Sequence, residues 1–474
     1  MENLFKLKEN NTTVKTEIIA GLTTFMTMAY IVALNPNLLT GFGANGQEIW
    51  NGVFLATVIS AGIGCICMAF LANKPFAMAP GMGLNSFFAV VVSNIVAITG
   101  LSYVESFQAA LCVVLIEGIV FIILSVLNIR EKIVEGIPLG IRLGISPAIG
   151  LMLLNIGLGS NAGIYSENGG PFFVMRDFFG SLTAGYAKNT MGSGYGPMVL
   201  SVVTMFVGLF AIIFLSHKDI KGSVLYGMLI ASGIYWIGEK VFFDTNQFAS
   251  LAKASWVPPF KDMAETTLFR FNIQGFISIG WFTIITIIIT FCIIDMFDTI
   301  GTLVGTASRA GMVNENGNMP GMREALTSDA IGTIVGSCTG TSTVTTFVES
   351  ASGVEAGGRT GLTALVTGII FLLCMFLSPI ASVIPAAATS SALIYVGYLM
   401  LCGLKKVDFD KMEEGFPVAL MLLAMPVSGS IGHGIGIGLI TYTVVSVLKG
   451  EAKKVPVLTY VISLIFLIKF FLAV

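Results

Sequence analysis

TGTSTVTTFVESASG, residues 339–353, interrupts an otherwise apolar chain. Residues 330–348 carry no formal charge, nor do residues 360–404, and Glu349 stands between those runs. Thr339, Thr341, Thr343, Thr345 and Thr346, with Val344 and Phe347, favour extended backbone over helix. A second interruption is KPFAMAPGMGLNSFF, residues 74–88. Pro75, Pro80, Gly81 and Gly83 break any helix drawn through it. At membrane depth such backbone is tolerated only inside protein or against a water-filled cavity. These two stretches therefore govern the fold, provided that the chain lies in a bilayer.

Composition places it there. The 474 residues are 55% hydrophobic and 11% charged, with mean hydropathy +0.88. A soluble domain carries roughly 25% charged residues. Uncharged runs cover 18–47, 75–104, 143–166, 189–217, 271–294, 360–404 and 415–448. A spanning helix needs about 20 apolar residues, so the run 360–404 is too long for one crossing, and Pro379 and Pro385 mark its turn. The N-terminus does not read as a cleavable signal. The seven cysteines form no CxxC and read as packing residues, and His217 and His433 cannot make a metal site by themselves. Net charge −2 provides no footprint for nucleic acid. No P-loop, metal cluster or His-based constellation argues for an enzyme, and no cofactor is expected.

The pattern predicts an all-α polytopic membrane protein with about fourteen crossings: 17–35, 52–72, 84–97, 107–128, 145–160, 197–215, 223–239, 276–304, 326–338, 348–356, 361–379, 386–403, 416–431 and 433–448. A further apolar helix covers 456–472. With the N-terminus cytoplasmic, eighteen Lys and Arg fall inside and six outside, as the positive-inside rule requires. The two broken segments stand seven crossings apart, so the halves have opposite topology. Paired interruptions in inverted halves point to a transporter binding site. The two are expected to pair as short strands at the midplane, each leading into a half-helix, 84–97 or 348–356. Asn85 and Glu349 then sit near half-helix starts, where exposed N–H groups favour an anionic or acceptor group.

Glu349 also fits a capping box with Thr346, but a carboxylate at membrane depth is a functional site by default. Asp295 and Asp298, in FCIIDMFDTIGTLVG (291–305), share one helix face. Their mutual repulsion suits proton coupling, and the plainer alternative is a helix end in cytoplasmic water with Arg309 nearby. Asp329 in LTSDAIG reads as a helix cap. Glu117 stays open between pairing and lining a cavity. His433 reads as part of a glycine-rich turn. Phe76, Phe87 and Phe347 flank the interruptions, and one of them is placed to stack on a flat ligand; packing is the commoner fate of phenylalanine.

TEIIAGLTTFMTMAYIVALNP (16–36), NKPFAMAPGMGLNSFF (73–88), DMFDTIGTLVG (295–305) and TTFVESASGVEAGGRTGLTA (345–364) together resemble the adenine–guanine–hypoxanthine permease branch of the nucleobase–ascorbate transporter superfamily. The resemblance implies two inverted repeats of seven segments, with the strands in segments 3 and 10. It implies a core domain (1–128 and 276–384), a gate domain (129–275 and 385–449) and a C-terminal helix (450–474). It also implies proton-coupled purine nucleobase uptake across the plasma (inner) membrane, by an elevator-type mechanism in proteins that are often homodimers. Sodium stays open as the coupling ion. Carried over, Asn85, Asp298 and Glu349 bind substrate with Phe76 and Phe347, and Asp295, Asp298 and Glu349 couple the proton. The alternatives are an anion or uracil/xanthine transporter of the same fold, or a channel.

Overall fold

The computed structural model describes residues 2–41, 46–127, 136–159, 195–245, 251–252, 254–309, 311–312 and 319–472. The loop charges Arg130, Lys132, Arg176, Lys188 and Lys253 lie outside the described residues. The chain is mostly helical. Among the described residues, ten helical stretches are long and apolar enough to cross a membrane. In chain order the elements used below are α1 (Val14–Met28), α2 (Ile31–Leu39), α3 (Trp50–Cys67), β1 (Met78–Pro80), α4 (Met82–Thr99) and α5 (Tyr103–Val126). They continue with α6 (Leu139–Leu158), α7 (Tyr195–His217), α8 (Ser223–Phe243), α9 (Trp281–Arg309), α10 (Met322–Thr339) and β2 (Val344–Thr346). The last are α11 (Ser350–Glu355), α12 (Gly361–Leu373), α13 (Ala386–Leu401), α14 (Met412–Ser428), α15 (Ile431–Leu448) and α16 (Val457–Leu472). The long run 360–404 divides between Ser382 and Ala386: Pro385 is the N-cap residue of α13 and marks the turn, whereas Pro379 lies inside the preceding helical stretch, Gly361–Ser382.

Two compact units emerge. The first comprises Met1–Ile137, Val257–Ser378 and Pro456–Val474. Its centre is a two-stranded antiparallel ribbon, with Met78 opposite Thr346, Ala79 opposite Thr345 and Pro80 opposite Val344. A ribbon buried in apolar surroundings has two open edges, and each unpaired backbone group there is costly. Side chains close both edges. Cys65 Sγ of α3 accepts from Met78 N (3.1 Å) and donates to Met78 O (3.3 Å). Thr333 Oγ1 of α10 accepts from Val344 N and donates to Val344 O, both at 3.2 Å. Thr333→Val keeps the shape and strips that edge. It is expected to cost about 1–3 kcal/mol, the penalty for buried backbone groups left bare. An unchanged melting temperature of the purified variant would contradict this role for Thr333.

Polar capping closes other helix ends in this unit. Ser102 and Glu105 form a reciprocal capping box at the start of α5. Glu17 of α1, fully buried, accepts from Arg359 N, Thr360 N, Thr363 N and Thr363 Oγ1. One carboxylate thus gathers three N–H groups around the start of α12, while Asn73 Oδ1 and Thr360 Oγ1 accept from Gly361 N and Leu362 N.

Three sequence expectations change. Asp329 is not a cap: α10 begins after Gly321, and Asp329 lies well inside that helix, fully buried. The pull of Ser and Asp toward N-caps is overridden by tertiary partners described below. His433 is not in a turn but in the first turn of α15, where Ser430 Oγ accepts from His433 N. The capping box of Thr346 and Glu349 does not form. Glu349 is itself the N-cap of α11, and no side-chain cap bond closes there.

The second unit comprises Pro138–Trp256 and Pro379–Val455. Small residues let its helices approach closely, as lipid-embedded packing favours. A Cβ added to Gly150 of α6 would lie 2.6 Å from Gly397 O of α13, and one added to Gly397 would lie 2.7 Å from Gly150 O. Met198, Val202 and Met205 of α7 pack with Ile394 of α13. Trp236 of α8 donates to Val383 O at 2.8 Å, which gives its partly buried indole N–H a partner.

Candidate functional site

The ribbon positions the candidate residues. At one end Gly81 N donates to Thr343 O (3.1 Å), and α4 begins at the next residue. At the other end Phe347 N donates to Ala77 O (3.0 Å), while Ser350 Oγ accepts from Ala77 N (3.0 Å). The antiparallel register thus sends α4 and α11 out from opposite ends of one short element.

Asp298 comes close to that element. It lies mid-way along α9, and its Oδ2 is 3.6 Å from the point that a Cβ on Gly81 would occupy. The same added Cβ would lie 2.5 Å from Thr345 Cγ2. Glycine suits that position because Thr345 of β2 leaves no room for a Cβ, while Asp298 lies at ordinary contact distance. Asp298 is also within electrostatic reach of Asp329 and Glu349. Asp298 and Glu349 are both partly buried, in contrast to the fully buried Asp295.

Asp295 is set apart from Asp298, although only one helical turn separates them. It is fully buried, and Thr299 Oγ1 lies 3.0 Å from its Oδ1. The same hydroxyl lies 3.0 Å from Asp329 Oδ1 and 2.7 Å from Thr345 Oγ1. This interior cluster ties α9, α10 and β2 together and explains why Asp329 leaves the helix start.

Asn85 is fully buried in the first turn of α4. Its Nδ2 donates to Pro80 O (3.2 Å), and its Oδ1 accepts from Ser342 Oγ. Its amide thus already spans the junction of ribbon and helix. Phe76 is fully buried and Phe347 is 6% exposed. Phe87 packs on Phe291, with ring centroids 4.7 Å apart. Glu117 accepts from Thr343 Oγ1 at 2.7 Å, behind the ribbon. The structure therefore gathers Asp298, Glu349 and Phe347 about one element, and places Asn85, Asp295 and Phe76 in its supporting interior.

Sequence reasoning missed Tyr30. It sits at the break between α1 and α2, fully buried, and its hydroxyl donates to Glu349 Oε1 at 2.7 Å. The signal was a phenol inside the uncharged run 18–47, since a buried tyrosine hydroxyl needs a partner. Nothing local names that partner. Among the described residues, no group of His, Cys, Asp and Glu could hold a metal ion.

Comparison with known proteins bears on this arrangement. Residues 15–431 match the model of a permease family, that of the nucleobase–ascorbate transporters. The chain is 35% identical to "Adenine permease AdeP" of Escherichia coli (strain K12), over 99% of this chain and 95% of that protein. It is 36% identical to "Guanine/hypoxanthine permease PbuO" of Bacillus subtilis (strain 168), over 99% of this chain and 100% of that protein. The transmembrane domain of the cyanobacterial bicarbonate transporter BicA shares the fold, with TM-score 0.61 and 15% identity, over 89% of this chain and 97% of that domain. A multi-pass, mostly helical chain whose match runs through both interruptions and the acidic helix between them belongs to the nucleobase–ascorbate permease family, and is a transporter rather than an enzyme.

Proposed function

We propose that this permease takes up purine nucleobases, hypoxanthine and guanine and also adenine, across the plasma membrane in symport with protons. The observation that carries the reading is the approach of two half-buried carboxylates, Asp298 and Glu349, to one ribbon inside a membrane unit. Relatives named as adenine and guanine/hypoxanthine permeases support the substrate class.

Glu349 accepts purine N–H groups, a charge-assisted contact that gives specificity in a dry site. Phe347 lies beside it and stacks on the flat ring, with Phe76 behind. A neutral base avoids the cost of burying a permanent charge. Asp298 takes up the coupling proton, with Asp295 supporting it one turn away. The ribbon-bearing unit acts as the core that carries substrate, and the other acts as the gate, in an elevator-type cycle. Fourteen segments in two inverted repeats, with the ribbon strands in segments 3 and 10, a cytoplasmic N-terminus and a homodimeric state complete the reading.

Labelled hypoxanthine uptake into proteoliposomes tests it, with each purine, uracil and bicarbonate as competitors and with proton or sodium gradients imposed. Purines should compete, and an inward proton gradient should drive accumulation. Competition by uracil or bicarbonate instead of purines would replace the substrate class, and stimulation by sodium alone would replace the proton.

Asn85→Ala should raise the hypoxanthine KM by up to about thirtyfold, because two hydrogen bonds worth roughly 1 kcal/mol each leave the ribbon–helix junction that shapes the site. A KM and a competition order matching the parent would show that Asn85 serves neither substrate nor junction.

A further inference from the structure

Tyr30 contributes the one side-chain hydrogen bond to Glu349 seen among the described residues. The phenol is fully buried and comes from a different segment, 319 positions away in sequence. It is held by a helix break: α1 ends at Met28, and Tyr30 is the N-cap residue of α2. From this geometry we infer that Tyr30 is a specificity-determining residue, whose hydroxyl occupies one lobe of Glu349 Oε1 so that the purine meets the carboxylate chiefly through Oε2. The inference rests on the reading of Glu349 as the purine acceptor.

A carboxylate offers about four lone-pair sites on its two oxygens, and the phenol uses one of them. That charge-assisted bond also holds the carboxyl group in one orientation, so less freedom is lost when a ligand arrives. Purine edges then differ in what they ask of it. Guanine presents N1–H and an amino N–H side by side, addresses both oxygens and must share Oε1 with the phenol. Hypoxanthine presents N1–H alone on that edge and addresses Oε2 without competition. Tyr30 therefore tilts the site toward single-donor edges and makes the carboxylate ready for them.

Tyr30→Phe keeps the ring and deletes only the hydroxyl. Hypoxanthine KM should rise about tenfold, as expected for a lost charge-assisted hydrogen bond, with Vmax moving less than about threefold. Guanine should gain on hypoxanthine by about threefold or more in the ratio of inhibition constants, since Oε1 is released. A second variant guards against a purely structural effect. Glu349→Asp withdraws the carboxylate from the phenol by one methylene. Adding Tyr30→Phe to it should change hypoxanthine binding by less than about twofold, because the coupling between the two groups is already lost. Binding is read as hypoxanthine protection of the purified protein against thermal unfolding, which reports on folded protein only.

An unchanged KM and an unchanged guanine-to-hypoxanthine ratio in Tyr30→Phe would overturn the inference. So would full additivity with Glu349→Asp. The two levels separate cleanly. If Glu349→Gln transports like the parent, the purine-acceptor reading fails. If Glu349→Gln is inactive while Tyr30→Phe keeps the parent's KM and ratio, only the role of Tyr30 fails.

Discussion

Glu349→Gln is expected to reduce purine uptake by at least about a hundredfold, with the protein still reaching the membrane in normal amount. The substitution preserves shape and removes a charge. It also puts an NH2 group where one acceptor oxygen stood. Tyr30 O–H then faces an amide that accepts at one atom only, and a purine N–H aimed at the other atom meets a donor. Two donors face to face in a site away from bulk water leave both without a partner, which costs more than a simple loss of attraction. The fold should survive, because Glu349 makes no side-chain cap bond for α11 and is half-buried rather than enclosed. The measurement is initial-rate hypoxanthine uptake, normalised to protein at the membrane. Uptake close to that of the parent would remove Glu349 from the site.

Asp298→Asn should uncouple transport. In the parent, an inward proton gradient is expected to stimulate accumulation. In the variant, stimulation should fall to about onefold while purines still exchange down their gradient, because an amide cannot carry the proton. The choice of Asp298 over Asp295 follows from placement. Asp298 is half-buried beside Gly81 and within electrostatic reach of Glu349 and Asp329, which makes it the better placed of the two to exchange the proposed coupling proton. Asp295 is fully buried against Thr299. Asp295→Asn is the natural comparison: it should disturb the Thr299 cluster and lower stability more than it alters the gradient response. Equal stimulation by the gradient in Asp298→Asn and the parent would move the coupling proton elsewhere.

Composition and local pattern alone determined the solvent of this chain, the places where its helices fail and the rare acids worth attention. Those features are local: prolines, glycines and threonines act on their own backbone, and a carboxylate in an apolar run is conspicuous whatever it touches. Tertiary structure decided the rest. The register of the ribbon, its closure by Cys65 and Thr333, the burial of Asp329 beside Thr299, the interior placement of Asn85 and the phenol of Tyr30 on Glu349 all join residues far apart in sequence. Each arises because a buried polar group must find a partner. The sequence announces the need, and only packing determines which neighbour meets it.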